Sequence, residues 1–304
     1  MAAIKVKSNL QRNRHKLSSS DINQTSFSEG EIFIRFQRIF SERAFKCYIG
    51  MVKKFIISLL IFTGIFFISF KSLSAINQQD IGRDTLTSEQ LVIVITNNWN
   101  DVQARLFCFE KINGKWQRKF NFPAVVGIKG MALGNGFRTL VLDGAPIKKE
   151  GDLKSPAGIF ELGPAFGYAG KGEVGWMNFD YIRASDTLFC IDDSSSAYYN
   201  QLVKTNTLKA DWHSFEEMHR KDNAYKWGLF VQHNTDPVKS GKGSCIFLHI
   251  WDNSVDGTAG CTAMREDDLL NLLHWIRSDK HPLLVQLPLT YFRMVSSIYN
   301  LPSL

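Results

Sequence analysis

The 304-residue sequence has little cysteine, little proline and no clustering of metal-binding side chains. Of its five cysteines no two stand two residues apart, which excludes zinc knuckles and thioredoxin-type dithiols. No Pro-rich linker, internal repeat or low-complexity tract divides the chain. Two glycine clusters, 127–130 and 134–136, lack the Gly-Lys-Ser/Thr ending and the strand-to-helix setting of a phosphate loop, and read as turns. With no nucleotide, haem or metal motif, no cofactor is expected. Basic charge is also scarce once it is located. The net +7 falls entirely within residues 1–54, where eleven Lys/Arg face four acids, and the rest of the chain carries 25 charges of each sign. Without a Lys/Arg stripe there, nucleic acid is excluded as a partner.

What is present begins with an export signal. Lys53 and Lys54 precede sixteen uncharged, mostly apolar residues at 55–70, and Ser72-Leu73-Ser74-Ala75 makes a small-residue exit. Residues 51–75 therefore read as a secretory signal peptide cleaved after Ala75 or Ser74. Met51 is then the start, and 1–50 a basic extension upstream of it. The alternative is an uncleaved anchor with 1–54 on the cytoplasmic side. Its sixteen residues would reach about 24 Å, short of the ~30 Å hydrocarbon core. Both readings place residues 76–304 outside the cytoplasm, in the periplasm or cell envelope, and membrane contact is expected only through this segment.

Short β-type runs dominate residues 76–304: 91–96, 105–112, 116–126, 139–142, 158–166, 187–191, 228–232, 245–250 and 283–287. Helical pattern is confined to a possible short segment at 211–220 and a clear one at 266–277. In the latter, Leu269, Leu270, Leu272, Leu273 and Ile276 form one apolar face behind Glu266, Asp267 and Asp268. The expected fold is one mainly β domain with peripheral helices, an α+β arrangement with its core at about 90–287. The tail at 289–304 carries Tyr291, Phe292, Ile298 and Tyr299, with equal claims to packing on the domain or meeting a partner.

Cys108 and Cys190 sit inside strand-like runs and read as small buried hydrophobes. In an oxidising compartment Cys190 and Cys245 have the alternative of a structural disulfide. Cys261 differs, because it lies between the glycine-rich loop 256–260 and the helix that starts near Glu266. A thiol at such a junction is expected to be exposed, with positive local potential favouring the thiolate and backbone N–H groups near Gly260 open to an oxyanion. Twelve residues upstream, His249 is the right side chain to take the thiol proton. His233, at the end of an adjacent run, reads either as a structural histidine or as a second base. Trp251 is expected on the cleft wall, and Tyr168, Tyr198 and Tyr199 read either as core aromatics or as residues of its rim.

The segment Glu150-Gly151-Asp152-Leu153-Lys154-Ser155-Pro156-Ala157-Gly158-Ile159-Phe160 resembles the Lys-Thr-Pro-x-Gly-x-Phe stretch of YkuD-type L,D-transpeptidase catalytic domains. The stretch from Phe247 to Met264, with Thr258-Ala259-Gly260-Cys261, is similar to their nucleophile motif. The resemblance covers roughly 90–287. It implies a β-sandwich-like domain in which Cys261 attacks an L,D-bond of peptidoglycan stem tetrapeptides through a thioester, with His249 as base. The acyl acceptor would be another stem peptide or an envelope protein. The same site with water as acceptor would be an L,D-carboxypeptidase, and a third possibility keeps the fold as a non-catalytic cell-wall binder. The papain-like alternative lacks its flanking motif. Two positions depart from the family pattern: Ala259 stands where a histidine is usual, and Ala263 where an arginine is. Arg265 is the candidate to replace that arginine in substrate binding.

Overall fold

The run Leu91-Val92-Ile93-Val94-Ile95 has no polar alternation, the pattern of a strand covered on both faces. In the computed structural model, which describes residues 87–304, it is the fully buried strand β1 (Gln90–Thr96). The basic extension, the 51–75 segment and the expected cleavage site lie outside the described residues. After β1 come β2 (Gln103–Ile112), β3 (Lys115–Val125), β4 (Met131–Leu133), β5 (Ser155–Gly167), β6 (Tyr181–Arg183), β7 (Leu188–Ile191), β8 (Leu202–Lys204) and β9 (Phe215–Glu217). The chain continues through β10 (Trp227–Val231), β11 (Phe247–Ile250), β12 (Thr262–Met264), α1 (Glu266–Trp275), β13 (Leu283–Pro288) and α2 (Leu289–Tyr299). None of these helices is long and apolar enough to cross a membrane.

The main sheet runs β10-β11-β12-β3-β2-β1-β13-β5, and β5 pairs back to β10, so it closes on itself. The fold is mainly β, as expected, and its sheet forms a closed barrel. Closure rests on the thirteen-residue β5, the longest strand. Its first half pairs with β4 and β13, and its second half with β10 and β6. A strand of about 43 Å has room to change neighbours along its length. The core is built from this barrel and from Leu269, Leu272, Leu273 and Ile276 at α1, as the periodicity predicts.

A separate three-stranded sheet, β8-β7-β9, accounts for one departure from expectation and decides one open alternative. Residues 211–220 are not helical. They contain β9, whose Phe215 ring stacks on Phe189 of β7 at 4.2 Å, a cross-strand contact that overrides the local pattern. Cys190 of this sheet is bonded to Cys245, with Cα atoms 5.9 Å apart and 55 residues of separation. Closing a loop of that length is worth about 4 kcal/mol in the chain-entropy account. The 139–142 run is not a strand either. It finds no pairing partner, and Val141 stands 84% exposed. The tail forms α2, which packs Phe292, Val295 and Tyr299 into the core.

Candidate active site

Cys261 closes the loop Gly257-Thr258-Ala259-Gly260 and leads into β12, not into a helix. β12 runs parallel to β11 with Leu248 opposite Thr262 and His249 opposite Ala263. That register sets Cys261 beside Phe247, and the two-residue repeat of a strand puts His249 on the same face, one step further along. The Phe247 N–H points at Cys261 Sγ, 3.3 Å away, and the thiol reaches the Cys245 carbonyl at 3.6 Å.

The Cys261 backbone is held by two hydroxyls. Ser155 Oγ (2.7 Å) and Thr258 Oγ1 (2.6 Å) both donate to the Cys261 carbonyl, and Ser155 Oγ also accepts the Gly127 N–H at 2.9 Å. Ser155 opens β5, so the 150–160 segment and the cysteine loop are physically joined. Three loop backbones meet here. A Cβ on Gly127 would come within 2.5 Å of the Leu153 carbonyl, and one on Gly257 equally close to Ile128 Cα.

His249 donates from Nδ1 to the Ile250 carbonyl at 2.8 Å. That bond selects the tautomer whose Nε2 carries a lone pair, and Nε2 has no hydrogen-bond partner among the described residues. The Tyr225 ring meets the imidazole nearly at right angles, 5.3 Å between centroids, and fixes its plane. Cys261 and His249 line one cavity of about 410 Å³, together with Gly260 and Trp251. Burial pushes the Cys261 thiol up to about 12 and the His249 imidazole down to about 4. The resting pair is therefore thiol and neutral imidazole. This corrects the expectation of an exposed thiol favoured as thiolate. Cys261 is 8% exposed, and α1 begins five residues later. Lys148 and Arg220 do favour the thiolate, but desolvation outweighs them.

The cavity wall is acidic. Among the described residues Glu150, Asp192, Glu216, Asp222, Asp252 and Asp256 line it against Lys148 and Arg220. Both bases are already engaged, Lys148 Nζ with Asp152 at 2.7 Å and Arg220 Nε with Asp222 at 3.0 Å. Arg220 also lies over the Tyr225 ring, 5.1 Å from its centroid. Sequence reasoning missed Arg220, Glu216 and Tyr225. They arrive from β9 and the β9–β10 connection, some 40 residues before Cys261, and no spacing marks them.

The remaining expected residues fall elsewhere. His233 is buried outside the cavity, with Nδ1 3.1 Å from the Asn135 carbonyl and Nε2 3.0 Å from that of Lys242. It joins β10 to two loops and is not a second base. Arg265 precedes α1, where it pairs with Asp268 at 3.0 Å and does not line the cavity. Ala263 therefore has no arginine substitute at Arg265. Tyr168 is also outside the cavity, but its hydroxyl donates to the Arg220 carbonyl (2.9 Å) and accepts the Arg220 N–H (3.1 Å), holding that residue's backbone. The Gly260 N–H is donated to Thr258 Oγ1 at 3.1 Å, so it is occupied rather than open to an oxyanion. Tyr199 buttresses the cavity from behind, its hydroxyl donating to Glu150. Cys190 and Cys245 are bonded to each other, and Cys108 is buried in the core and does not line this cavity. Among the described residues no group of three or more His, Cys, Asp or Glu is placed to hold a metal ion.

No family model matches the chain, and no curated protein matches it. Among solved structures it is similar to the structure of Bdellovibrio bacteriovorus Bd1075, with 16% identity and a TM-score of 0.31. The match covers 65% of this chain and spans about half, 47%, of that one. A likeness this slight decides neither fold nor activity.

Proposed function

We propose that this chain is a cysteine acyltransferase of the YkuD L,D-transpeptidase kind, acting on the L,D-bond of peptidoglycan stem tetrapeptides. The observation that carries the reading is the pairing of Cys261 with a histidine whose Nδ1 is tied to a backbone carbonyl and whose Nε2 is left bare, on one wall of one cavity. The contact of Ser155 with the Cys261 carbonyl adds to it, since it joins the two segments that carry the family resemblance. Export to the periplasm or cell envelope rests on residues 51–75 and accords with the Cys190–Cys245 bond, which persists in oxidising compartments. The relation of this barrel to the family's β-sandwich belongs to the same proposal.

In this reading the Cys261 thiol proton passes to His249 Nε2 as Sγ attacks the scissile carbonyl carbon. The tetrahedral intermediate collapses, its C–N bond breaks, and the leaving amine takes the proton from His249. The thioester is then resolved by an amine of a second stem peptide or of an envelope protein, which regenerates the thiol. Starting from neutral thiol and imidazole, the ion pair forms only as the bond forms, so the free site is protected from adventitious electrophiles. Incubation of the protein with purified disaccharide tetrapeptide, followed by product masses, tests the proposal. Cross-linked dimer supports transpeptidation, and tripeptide would move the reading to a carboxypeptidase. Unchanged substrate, under conditions where a control transpeptidase turns over, would leave a cell-wall-binding protein.

A further inference from the structure

A second groove, of about 630 Å³, lies between β6 of the barrel and β8 of the small sheet, and its electrostatics oppose those of the Cys261 cavity. Lys171, Arg183 and Lys204 line it, and among the described residues no acidic one does. All three are exposed, and none has an ion pair or a side-chain hydrogen bond among the described residues. Glu173, in the same turn as Lys171, turns its carboxylate onto the Gly170 N–H at 2.6 Å. Unpaired cations of one sign around a concavity create a field that only an anion relieves.

The backbone supplies the second half of the argument. Among the described residues β6 pairs only with β5, and β8 only with β7, so each carries one edge without a strand partner, on which the Lys204 carbonyl alone is taken, by the Thr207 hydroxyl at 2.9 Å. Unpaired edges next to a groove are the template for an added strand. Ile182 and Leu202 lie between the cations as partly buried apolar residues. A polyanion without an amide backbone would use the charges but not the edges.

We propose that this groove binds an acidic peptide in extended conformation, added as a strand to the free edges of β6 and β8, with carboxylates on Lys171, Arg183 and Lys204. About three residues would be paired at each edge, roughly 10 Å of chain. The inference is independent of the Cys261 chemistry.

The experiment is fluorescence anisotropy with the full chain and a labelled nine-residue peptide alternating Glu and Leu, at about 0.15 M salt, where long-range charge is damped. Saturable binding is expected. It should weaken at least tenfold for K171E/R183E/K204E and no more than twofold for the matched reversal K115E/K221E/K239E, with circular dichroism confirming both folds. The same peptide with alternate backbone amides N-methylated keeps every carboxylate and should also lose at least tenfold. This arm needs no protein variant. No saturable binding below millimolar peptide, or equal losses in the two triple variants, would overturn the proposal. Undiminished binding of the N-methylated peptide would overturn the added strand and leave only a charged surface.

Discussion

His233 and His249 are pushed to about the same value, near 4, by the same cause, burial away from water. Both present Nδ1 to a backbone carbonyl. They differ at the other nitrogen. Nε2 of His233 faces the Lys242 carbonyl, and the ring packs edge-on against Phe160 at 5.7 Å. Nε2 of His249 has no such neighbour, and its ring borders the cavity of Cys261. A perturbed pKa does not separate a base from a strut; an unoccupied nitrogen beside a nucleophile does.

Replacing each histidine by alanine puts the contrast under the most strain. His249→Ala should slow formation of the Cys261 acyl-enzyme by a hundredfold to ten thousandfold, the range for loss of a general base, without lowering the melting temperature much. His233→Ala should leave the acylation rate within about threefold in whatever fraction folds, and should lower stability by about 2 kcal/mol or more as a buried carbonyl loses the ring N–H and a cavity opens beside Phe160. Intact-protein mass spectrometry over time and thermal melts read the two effects separately. If His233→Ala proved the slower acylator at equal folded fraction, the roles would be reversed.

Acid stability tests the strut by a different route. A histidine held neutral in the fold takes up a proton more readily when unfolded. Stability from His233 is therefore complete above about pH 6.5 and is lost as pH falls toward 4, by up to about 3 kcal/mol. Urea midpoints measured between pH 7 and 4.5 should fall for the parent and fall less steeply for His233→Gln. Parallel slopes would mean that the buried ring is not what the acid attacks.

The thiols extend the comparison to Cys261 and Cys108, both raised by burial, of which only Cys261 lines the cavity of His249. With its value near 12, Cys261 gains thiolate about tenfold per pH unit throughout the neutral range. Iodoacetamide labelling of the native protein should rise about a hundredfold from pH 6 to 8, on Cys261 and not on Cys108. A plateau near pH 7 would mean a thiolate formed in advance, and would return the site to the ion pair that its loop position suggests.

Much of this was legible in the chain. Uniform burial of 91–95, the apolar face of α1 and the Cys261–His249 spacing are carried by contiguous residues, and sequence displays contiguity. β4, β6, β8 and β12 went unseen because three residues are too few to show a period of two. Barrel closure is a pairing between β5 and β10, some 60 residues apart, with no local trace. The site was half read for the same reason. Cys261 and His249 are twelve residues apart, whereas Glu216, Asp222 and Tyr225 come from β9 and the connection that follows it, and the rest of the acidic wall is scattered from Glu150 to Asp256. The roles expected of His233 and Arg265 failed because proximity along a strand or at a helix start says nothing about which cavity a side chain reaches.

Tyr225 separates ring from hydroxyl. Its ring sets the plane of His249 and supports Arg220, while its hydroxyl makes one long hydrogen bond, 3.3 Å, to Glu216. If the ring is what matters to the base, Tyr225→Phe keeps the edge contact and loses only that bond, worth about 1 kcal/mol. Acylation should then fall no more than about threefold, with an unchanged pH profile. A much larger loss, or a profile shifted toward higher pH, would mean that the hydroxyl and Glu216 take part in moving the proton. His249 would then no longer be a base that works with its ring held only by packing and by its own backbone carbonyl.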